Sequence, residues 1–351
     1  MVERNAEFPN VGLPLLVVIL GPTASGKTAL SVALGARFGG EVVSCDSIAI
    51  YRGFEIGSAK PSPEQRERVP HHLLDVANPE EPYTAGDYGR AARAAIGDIA
   101  ARGKLPIVSG GSGLYLRALL QGFFAGSQPG SLRSAALRTR LQRRFEDRGA
   151  ARLHRLLRRL DPVSAGRIHP NDASKVIRAV EVSLLARQPL SELWRTGREG
   201  LSGFRILRIG LNPDRSQLYE RINARARSMF ASGLVEETEA LLARCSAAGA
   251  TARCSALQSL GYRQAAQFLR GEIDRERAVA LTCQGHRNYA KRQQTWFRRE
   301  PAVAWLAGFG DQPEIRGQAE KLVRQQLAER SSPDRHDDAA LEGARQAGSA
   351  N

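Results

Sequence analysis

The amino-acid sequence predicts an α/β fold, with a parallel sheet core and an inserted helical domain. Three observations support this prediction. Short apolar runs alternate with helical segments over the first 125 residues, the stretch Ser131–Trp194 is almost entirely helical in pattern, and a strand-like segment, Phe204–Leu211, follows it. Alternating strands and helices indicate crossover connections and a parallel sheet, so we expect the later strand to return to that sheet.

Apolar spacing predicts the individual elements. Leu15–Leu20 is a continuous apolar run with several β-branched residues, which is typical of a buried parallel strand. Two further strands are predicted at Glu41–Ser44 and Leu105–Val108. The predicted helices outside the insert are Thr28–Phe38, Tyr83–Arg102, Leu114–Leu120, Ser216–Ala231, Leu234–Ala243, Leu257–Leu269 and Asp274–Arg299.

These elements suggest a core that is divided in sequence. We assign residues 1–126 and 203–330 to the core and residues 127–202 to the helical insert, where Leu recurs at helical spacing with Arg between. Residues 331–351 are polar and rich in Ala, Gly, Ser and Asp, which predicts a disordered tail.

Composition excludes several protein classes. The chain has 351 residues, of which 42% are hydrophobic and 25% charged, as in globular proteins. No apolar run reaches the ~20 residues of a membrane span, and the N-terminus lacks a secretory pattern, so we expect a cytoplasmic protein without a membrane partner. The four cysteines are widely spaced, which favours reduced thiols over a zinc site or disulfides.

The net charge of +15 is unevenly distributed. Residues 1–125 contain 12 basic and 12 acidic residues, whereas residues 126–300 contain 33 basic and 16 acidic residues. A compositional bias explains why only six of the 51 basic residues are Lys, but it does not explain the neutral first block. The basic block therefore favours an anionic partner, with nucleic acid the first candidate.

A phosphate-binding motif lies between the first predicted strand and the first predicted helix. The segment Gly21-Pro22-Thr23-Ala24-Ser25-Gly26-Lys27-Thr28 matches the pattern G-x-x-x-x-G-K-[ST]. Its glycines let backbone N–H groups converge on phosphate oxygens, Lys27 adds a full charge, and the Thr28 hydroxyl can bind Mg²⁺. The motif predicts a P-loop NTPase-like core; a turn that binds nothing is the alternative.

The loop alone does not name the reaction. The N-K-x-D motif typical of GTPases is absent, and the strand Leu105–Val108 runs into Ser109-Gly110-Gly111 rather than into the carboxylate typical of ATPases. The strand that leads to a carboxylate is Glu41–Ser44, which is followed by Asp46. The loop could therefore hold a nucleoside triphosphate or another diphosphate.

The sequence resembles the bacterial tRNA dimethylallyltransferases over roughly residues 15–305. Besides the phosphate loop, an ordered series of segments carries the resemblance. These segments are Asp46-Ser47 to Tyr51-Arg52-Gly53, Ile56-Gly57-Ser58-Ala59-Lys60-Pro61, Pro70-His71-His72-Leu73-Leu74-Asp75, Gly110-Gly111-Ser112-Gly113-Leu114-Tyr115, Arg167-Ile168-His169-Pro170-Asn171-Asp172, Gly261-Tyr262-Arg263 and Lys291-Arg292-Gln293-Gln294-Thr295-Trp296-Phe297.

The resemblance implies an activity and its partners. Enzymes of this family transfer a dimethylallyl group from dimethylallyl diphosphate to N6 of the adenine 3′ to the anticodon and release diphosphate. The expected partners are therefore a tRNA anticodon stem-loop and dimethylallyl diphosphate, with Mg²⁺ as cofactor and the chain acting as a monomer. The phosphate loop would hold the prenyl diphosphate instead of ATP.

The resemblance also implies roles for particular side chains. Asp46 would be the general base, Arg225 would contact the diphosphate, and Thr28 would bind the metal. Ser112 stands where the family usually has Thr, so an orienting hydroxyl is retained, and Ala49 stands where many relatives carry Gln. Alternatives stay open for Asp46, as a residue that orients a magnesium ligand or as a helix cap, and for Ser112, as a helix N-cap.

RNA contacts are assigned partly by resemblance and partly by position in the basic helices. An adenine in a folded loop must leave its stack to react, so a pocket and a surrounding backbone grip are expected. For Trp296, helical spacing favours a core role over base stacking. The assigned residues are Asp46, Ser47, Ile48, Ala49, Ser112, Arg140, Val176, Ile177, Arg178, Gln258, Gly261, Tyr262, Arg263, Lys291, Arg292, Gln293, Trp296 and Arg298.

Two other functions are compatible with the motif. A small-metabolite kinase would use ATP at the phosphate loop, but it would need no polyanion-binding block. An RNA-binding nucleotide switch without covalent chemistry would need no carboxylate beside the adenine pocket.

Overall fold

The structure is a computed structural model that describes residues 12–122, 134–195, 200–249 and 254–329. The predicted disordered tail at 331–351 lies outside the described residues. None of the helices that the structure describes is both long enough and apolar enough to cross a membrane.

Within the described residues, six strands form one sheet in which every neighbouring pair is parallel. The sheet order is β3-β2-β4-β1-β5-β6. The strands are β1 (Leu15–Leu20), β2 (Gly40–Ser44), β3 (His71–His72), β4 (Leu105–Ser109), β5 (Arg205–Leu211) and β6 (Val303–Leu306).

The central position of β1 follows from its composition. All six of its residues are buried, which is what a strand covered on both faces requires. Its neighbours are β4 on one side and β5 on the other. Leu15 pairs with Arg205 and Leu20 pairs with Gly210, so the prediction that the segment after the insert returns to the first sheet is confirmed.

The helices cover the sheet and build the insert. They are α1 (Lys27–Phe38), α2 (Pro63–Arg68), α3 (Ala85–Ala101), α4 (Gly113–Leu120), α5 (Ala135–Arg148), α6 (Ala150–Leu160), α7 (Pro162–Arg167), α8 (Ala173–Ala186), α9 (Leu190–Leu193), α10 (Arg215–Ala231), α11 (Leu234–Ala247), α12 (Tyr262–Leu269), α13 (Arg275–Phe297) and α14 (Pro313–Ala328).

The single helix predicted at Leu257–Leu269 is wrong. The structure has a 3₁₀ turn at Ser255–Gln258 and then α12. Gly261 between them has φ 91°, a left-handed value that ends the first turn and allows the second helix to begin in a new direction. The short strands β3 and β6 and the helices α2 and α14 have no counterpart among the sequence predictions.

Contacts between Cα atoms divide the chain into two compact units. The first comprises Met1–Pro82, Ala95–Gly113 and Gly203–Asn351, and the second comprises Tyr83–Ala94 and Leu114–Ser202. The second unit therefore includes α4 and the first half of α3, beyond the predicted insert of 127–202. The rings of Tyr88 and Tyr115 stack with centroids 4.2 Å apart, which joins these two segments to each other.

Each unit has its own apolar core. In the first unit, Val17 of β1 and Ile107 of β4 pack with Leu34 of α1 and Val323 of α14. In the second unit, the core lies between α5, α6 and α8, with leucines of α5 and α6 against valines of α8. The first core joins strands to helices and the second joins helices only, in agreement with the two sequence patterns.

The expectation that all four cysteines are reduced thiols is wrong. Cys245 at the end of α11 and Cys254 before the 3₁₀ turn form a disulfide. Their Cα atoms lie 6.4 Å apart, within the range that a disulfide allows. Cys45 and Cys283 are buried thiols, as expected.

Candidate active site

The phosphate loop joins β1 to α1, so the predicted strand–loop–helix context is confirmed. Gly26 has φ 85°, and a Cβ at this position would lie 2.8 Å from the amide nitrogen of Gly310. That amide donates a hydrogen bond of 2.9 Å to the Ser25 carbonyl. The loop is therefore held against the segment that follows β6, and only glycine fits where the two backbones meet.

A cavity of about 100 Å³ lies at the carboxyl ends of β1, β2 and β4. In an open parallel sheet this edge is where ligands bind, because the loops after neighbouring strands converge there. Its lining includes Thr23, Lys27 and Thr28 of the phosphate loop, Asp46 after β2, Gly110 and Gly111 after β4, and Arg225 of α10.

Two of the cations that line this cavity, Lys27 and Arg225, are held in an environment that disfavours their charge. Burial, reinforced by the Arg225 charge, lowers the pKa of Lys27 to about 8, although Asp46 and Cys45 oppose the shift. Burial also lowers the pKa of Arg225. Lys27 Nζ donates to the Pro22 carbonyl at 2.7 Å, and Arg225 Nε is buried without a hydrogen-bond partner among the described residues. An anion in the cavity would relieve both groups.

Asp46 is oriented by the backbone that follows it. Its Oδ1 accepts hydrogen bonds from the amides of Ile48 at 2.8 Å and Ala49 at 3.2 Å. No residue in the described part of the chain donates to its second oxygen, Oδ2. The amides that Asp46 binds belong to a turn at residues 47–50, so the alternative that Asp46 caps a helix is wrong. The second oxygen of this cavity-lining carboxylate is left for a substrate.

The glycines after β4 are needed because other groups press against them. A Cβ at Gly110 would lie 2.1 Å from the Cys45 carbonyl oxygen, and one at Gly111 would lie 2.1 Å from Gln293 Nε2. Ser112 follows directly and donates its amide to the Cys45 carbonyl at 3.1 Å. The Ser112 backbone is thereby tied to the residue that precedes Asp46.

Six of the residues assigned to RNA contact are buried. Tyr262, for example, is fully buried, donates its hydroxyl to Glu237 at 2.5 Å and accepts from the Gly57 amide at 3.1 Å. Its ring lies in the core against Gly57 and Phe54, so it presents no surface to an RNA. The six are Ala49, Val176, Ile177, Gly261, Tyr262 and Gln293.

The other assigned residues are more accessible. Trp296 is half-buried, with its ring against Gly113 and edge-on to Phe297. Ser47 and Ile48 are half-buried beside Asp46. The exposed members of the set are Arg140, Gln258, Arg263, Lys291, Arg292 and Arg298.

Arg178 is not a free cation. Its Nη1 lies 2.9 Å from Oε2 of Glu181, one turn further along α8, and that carboxylate is buried. In the same unit, four other arginines surround a surface pocket on α5 and α6 and have no ion-pair partner within the described ranges. This α5–α6 arginine cluster consists of Arg144, Arg152, Arg155 and Arg159.

Lys60 and His71 also line the cavity, although the sequence assigned them no role. Lys60 Nζ is bound by the Tyr51 carbonyl at 2.8 Å and by the carboxylates of Glu55 and Asp75, so it is a structural cation. His71 Nδ1 lies 2.7 Å from the Val69 carbonyl, and burial lowers the pKa of His71. Both residues occur in segments that carry the family resemblance, and this was the only feature of the sequence that pointed to them as residues of the site.

The chain is similar to a known family of proteins. The family model described as IPP transferase matches residues 49–300. This chain belongs to the IPP transferase family. A tRNA dimethylallyltransferase of Koribacter versatilis is 61% identical over 89% of this chain and 98% of its own length. A tRNA dimethylallyltransferase of Solibacter usitatus is 50% identical over 90% of this chain and 99% of its own.

Solved structures of IPP transferases and related enzymes share the fold. The tRNA isopentenylpyrophosphate transferase of Bacillus halodurans superposes with a TM-score of 0.65 at 36% identity, covering 90% of this chain and 98% of its own. A eukaryotic dimethylallyltransferase studied while acting on tRNA gives a TM-score of 0.74 at 25% identity, covering 94% of this chain and 83% of its own.

The charge of Lys27 predicts how diphosphate binding depends on pH. Because the pKa of Lys27 is lowered to about 8, the ammonium group is charged below that pH and loses its proton above it. Affinity for inorganic diphosphate should therefore fall as the pH rises through about 8, and Lys27→Met should weaken binding roughly tenfold to a hundredfold below that pH. Calorimetric titration of the wild type and variant from about pH 7 to about pH 9 measures both effects.

Diphosphate itself also loses a proton in this pH range, but this affects binding to the wild type and to the variant equally. The ratio of their affinities should therefore shrink as the pH rises. A constant ratio would contradict a role for the Lys27 charge.

Proposed function

We propose that this chain is a tRNA dimethylallyltransferase that transfers a dimethylallyl group from dimethylallyl diphosphate to N6 of the adenine 3′ to the anticodon. The observation that carries the proposal is that the cations Lys27 and Arg225 and the oriented carboxylate Asp46 line one cavity. Curated relatives that are 61% and 50% identical bear the name tRNA dimethylallyltransferase, which supports it.

The proposed reaction needs a base on one substrate and a charge-stabilising site for the other. A bond forms between adenine N6 and the first carbon of the dimethylallyl group while the bond from that carbon to the diphosphate oxygen breaks. The bonding electron pair leaves with the diphosphate, and the N6 proton passes to Oδ2 of Asp46. The phosphate-loop amides, Lys27 and Arg225 stabilise the charge that develops on the diphosphate.

The donor set of the cavity suits Mg²⁺. The Thr28 hydroxyl lines the cavity, and Mg²⁺ is commonly held by one or two protein oxygens together with substrate phosphates and water, which leaves Asp46 as the base. No cluster of three or more potential metal-binding side chains occurs among the described residues, so we propose that the diphosphate supplies further ligands. Bound Mg²⁺ would add positive charge at the leaving diphosphate.

The proposed machinery comes from one chain. Lys27, Asp46 and Arg225 lie in the same compact unit, so we propose that a monomer suffices. We propose that it acts in the cytoplasm, where tRNA is matured.

The transferase accounts for more of the molecule than the two alternatives. A small-metabolite kinase would leave the surplus of 33 basic over 16 acidic residues in the 126–300 block without a task. A nucleotide switch that binds RNA without catalysing a reaction would give the oriented Asp46 carboxylate no role.

Replacing Asp46 by asparagine should separate chemistry from binding. The carboxamide oxygen of the new side chain can still accept from the following amides, but the side chain cannot take a proton. We expect Asp46→Asn to lower the rate of prenyl transfer about a hundredfold or more while RNA affinity stays within about threefold. The measurement is transfer of labelled prenyl groups from dimethylallyl diphosphate to an anticodon stem-loop, with RNA binding measured in parallel.

A wild-type protein that transfers no prenyl group to RNA would refute the proposed function. A fully active Asp46→Asn enzyme would refute only the assignment of the base.

The α5–α6 arginine cluster predicts how RNA affinity depends on salt. Each arginine that neutralises a phosphate releases counterions, so the double variant Arg152→Ala/Arg155→Ala should weaken RNA binding and reduce the salt slope by about 1–2. Arg178→Ala should change the slope less, because the Arg178 charge already faces Glu181. Fluorescence anisotropy with a labelled stem-loop at several salt concentrations measures both.

If Arg178→Ala changes the slope and the double variant does not, the RNA backbone lies on α8 and not on the cluster.

A further inference from the structure

Gln293 occupies an unusual position for a residue assigned to RNA contact. It lies on α13, and its side chain is 5% exposed. Its Oε1 accepts a hydrogen bond of 2.8 Å from the Thr23 amide of the phosphate loop. Its Nε2 donates a hydrogen bond of 2.9 Å to the carbonyl of Gly111. One buried carboxamide thus bridges two loops that line the cavity.

The two bonds fix both the identity and the orientation of this side chain. The Thr23 partner is a donor and the Gly111 partner is an acceptor, so the amide group must present oxygen to one and nitrogen to the other. A carboxylate could accept from Thr23 but would face the Gly111 carbonyl oxygen with negative charge. A purely apolar side chain would leave a buried amide and a carbonyl without one partner each.

Neighbouring groups reinforce the bridge. The Tyr289 hydroxyl, one turn earlier on α13, also donates to the Gly111 carbonyl at 3.2 Å. Burial and the Asp46 charge raise the pKa of Tyr289, so the hydroxyl keeps its proton and remains a donor. Since a Cβ at Gly111 would collide with Gln293 Nε2, the loop can approach the carboxamide only as glycine.

The bridge links the groups that hold the two reactants. Thr23 belongs to the loop that would hold the diphosphate. Gly111 is followed by Ser112, whose amide donates to the carbonyl of Cys45, and Cys45 precedes Asp46. A continuous series of short contacts therefore runs from the phosphate loop through Gln293 to the general base.

We propose that Gln293 is a positioning residue for prenyl transfer, setting the distance between the phosphate loop and the segments that carry Ser112 and Asp46. The inference rests on the proposed function and replaces, for this residue, the RNA contact that the family resemblance implied. Displacing reacting groups by about 1 Å costs on the order of a hundredfold in rate, so a side chain that fixes their separation affects turnover more than binding.

Two variants test this role. Gln293→Met removes both hydrogen bonds at similar volume, and Gln293→Glu retains the acceptor toward Thr23 and loses the donor toward Gly111. With both substrates saturating, we expect kcat to fall about 10- to 100-fold in Gln293→Met, with RNA affinity within about threefold of wild type. Gln284→Met is the matched control, because Gln284 lies on the exposed face of the same helix, and it should retain wild-type kcat.

The pH profile separates positioning from general destabilisation. When the introduced carboxyl group of Gln293→Glu is protonated, it can again donate to the Gly111 carbonyl, so its kcat relative to wild type should recover as the pH falls. The relative kcat of Gln293→Met should not change with pH. Lys27, Asp46, Arg225 and Tyr289 titrate or carry charge nearby, but they are common to all the enzymes and cancel in the ratio.

Each outcome is decisive. A wild-type kcat for Gln293→Met would overturn the inference, and so would a loss confined to RNA affinity, which would make Gln293 an RNA contact. A relative kcat for Gln293→Glu that stays as low as that of Gln293→Met down to about pH 5.5 would overturn it as well. If the wild type transfers no prenyl group, the proposed function fails first, and that result is distinct from all of these.

Discussion

The candidate site depends on an excess of buried positive charge at one edge of the sheet. Lys27 and Arg225 are withdrawn from bulk water beside a single carboxylate, Asp46, and burial lowers the pKa of both cations. Such a site is unfavourable until an anion enters it. A diphosphate is a suitable anion because it can satisfy the loop amides, the Lys27 ammonium and the buried Nε of Arg225 together.

The fold places these groups together by strand order. Because β2, β4 and β1 are neighbours and parallel, the loops after them open at the same edge of the sheet. One loop supplies Lys27, another Asp46 and the third the glycines before Ser112. The helix α13 then ties the first and third loops together through Gln293, so its inner face contributes to geometry while Lys291, Arg292 and Arg298 are exposed.

Features set by local sequence could be predicted. The strand β1, the helix α1 and the phosphate loop are contiguous, and Asp46 was recognisable as a carboxylate at a strand end. Features set by contacts distant in sequence could not. The partners of Gln293 lie 270 and 182 residues away, and the burial of Tyr262 depends on Gly57, 205 residues away. The Cys245–Cys254 disulfide spans only nine residues and was missed for another reason, because the expected cytoplasmic setting favoured reduced thiols. The assignment of Arg225 needed the family resemblance.

We propose that the phosphate loop holds a prenyl diphosphate for transfer to an adenine and does not serve phosphoryl transfer. The most direct measurement is mass analysis of an anticodon stem-loop after incubation with the purified protein, Mg²⁺ and either dimethylallyl diphosphate or ATP. The account predicts a prenylated adenosine with the first donor and an unchanged RNA with the second. A phosphorylated product from ATP, with no prenylated adenosine from dimethylallyl diphosphate, would contradict it.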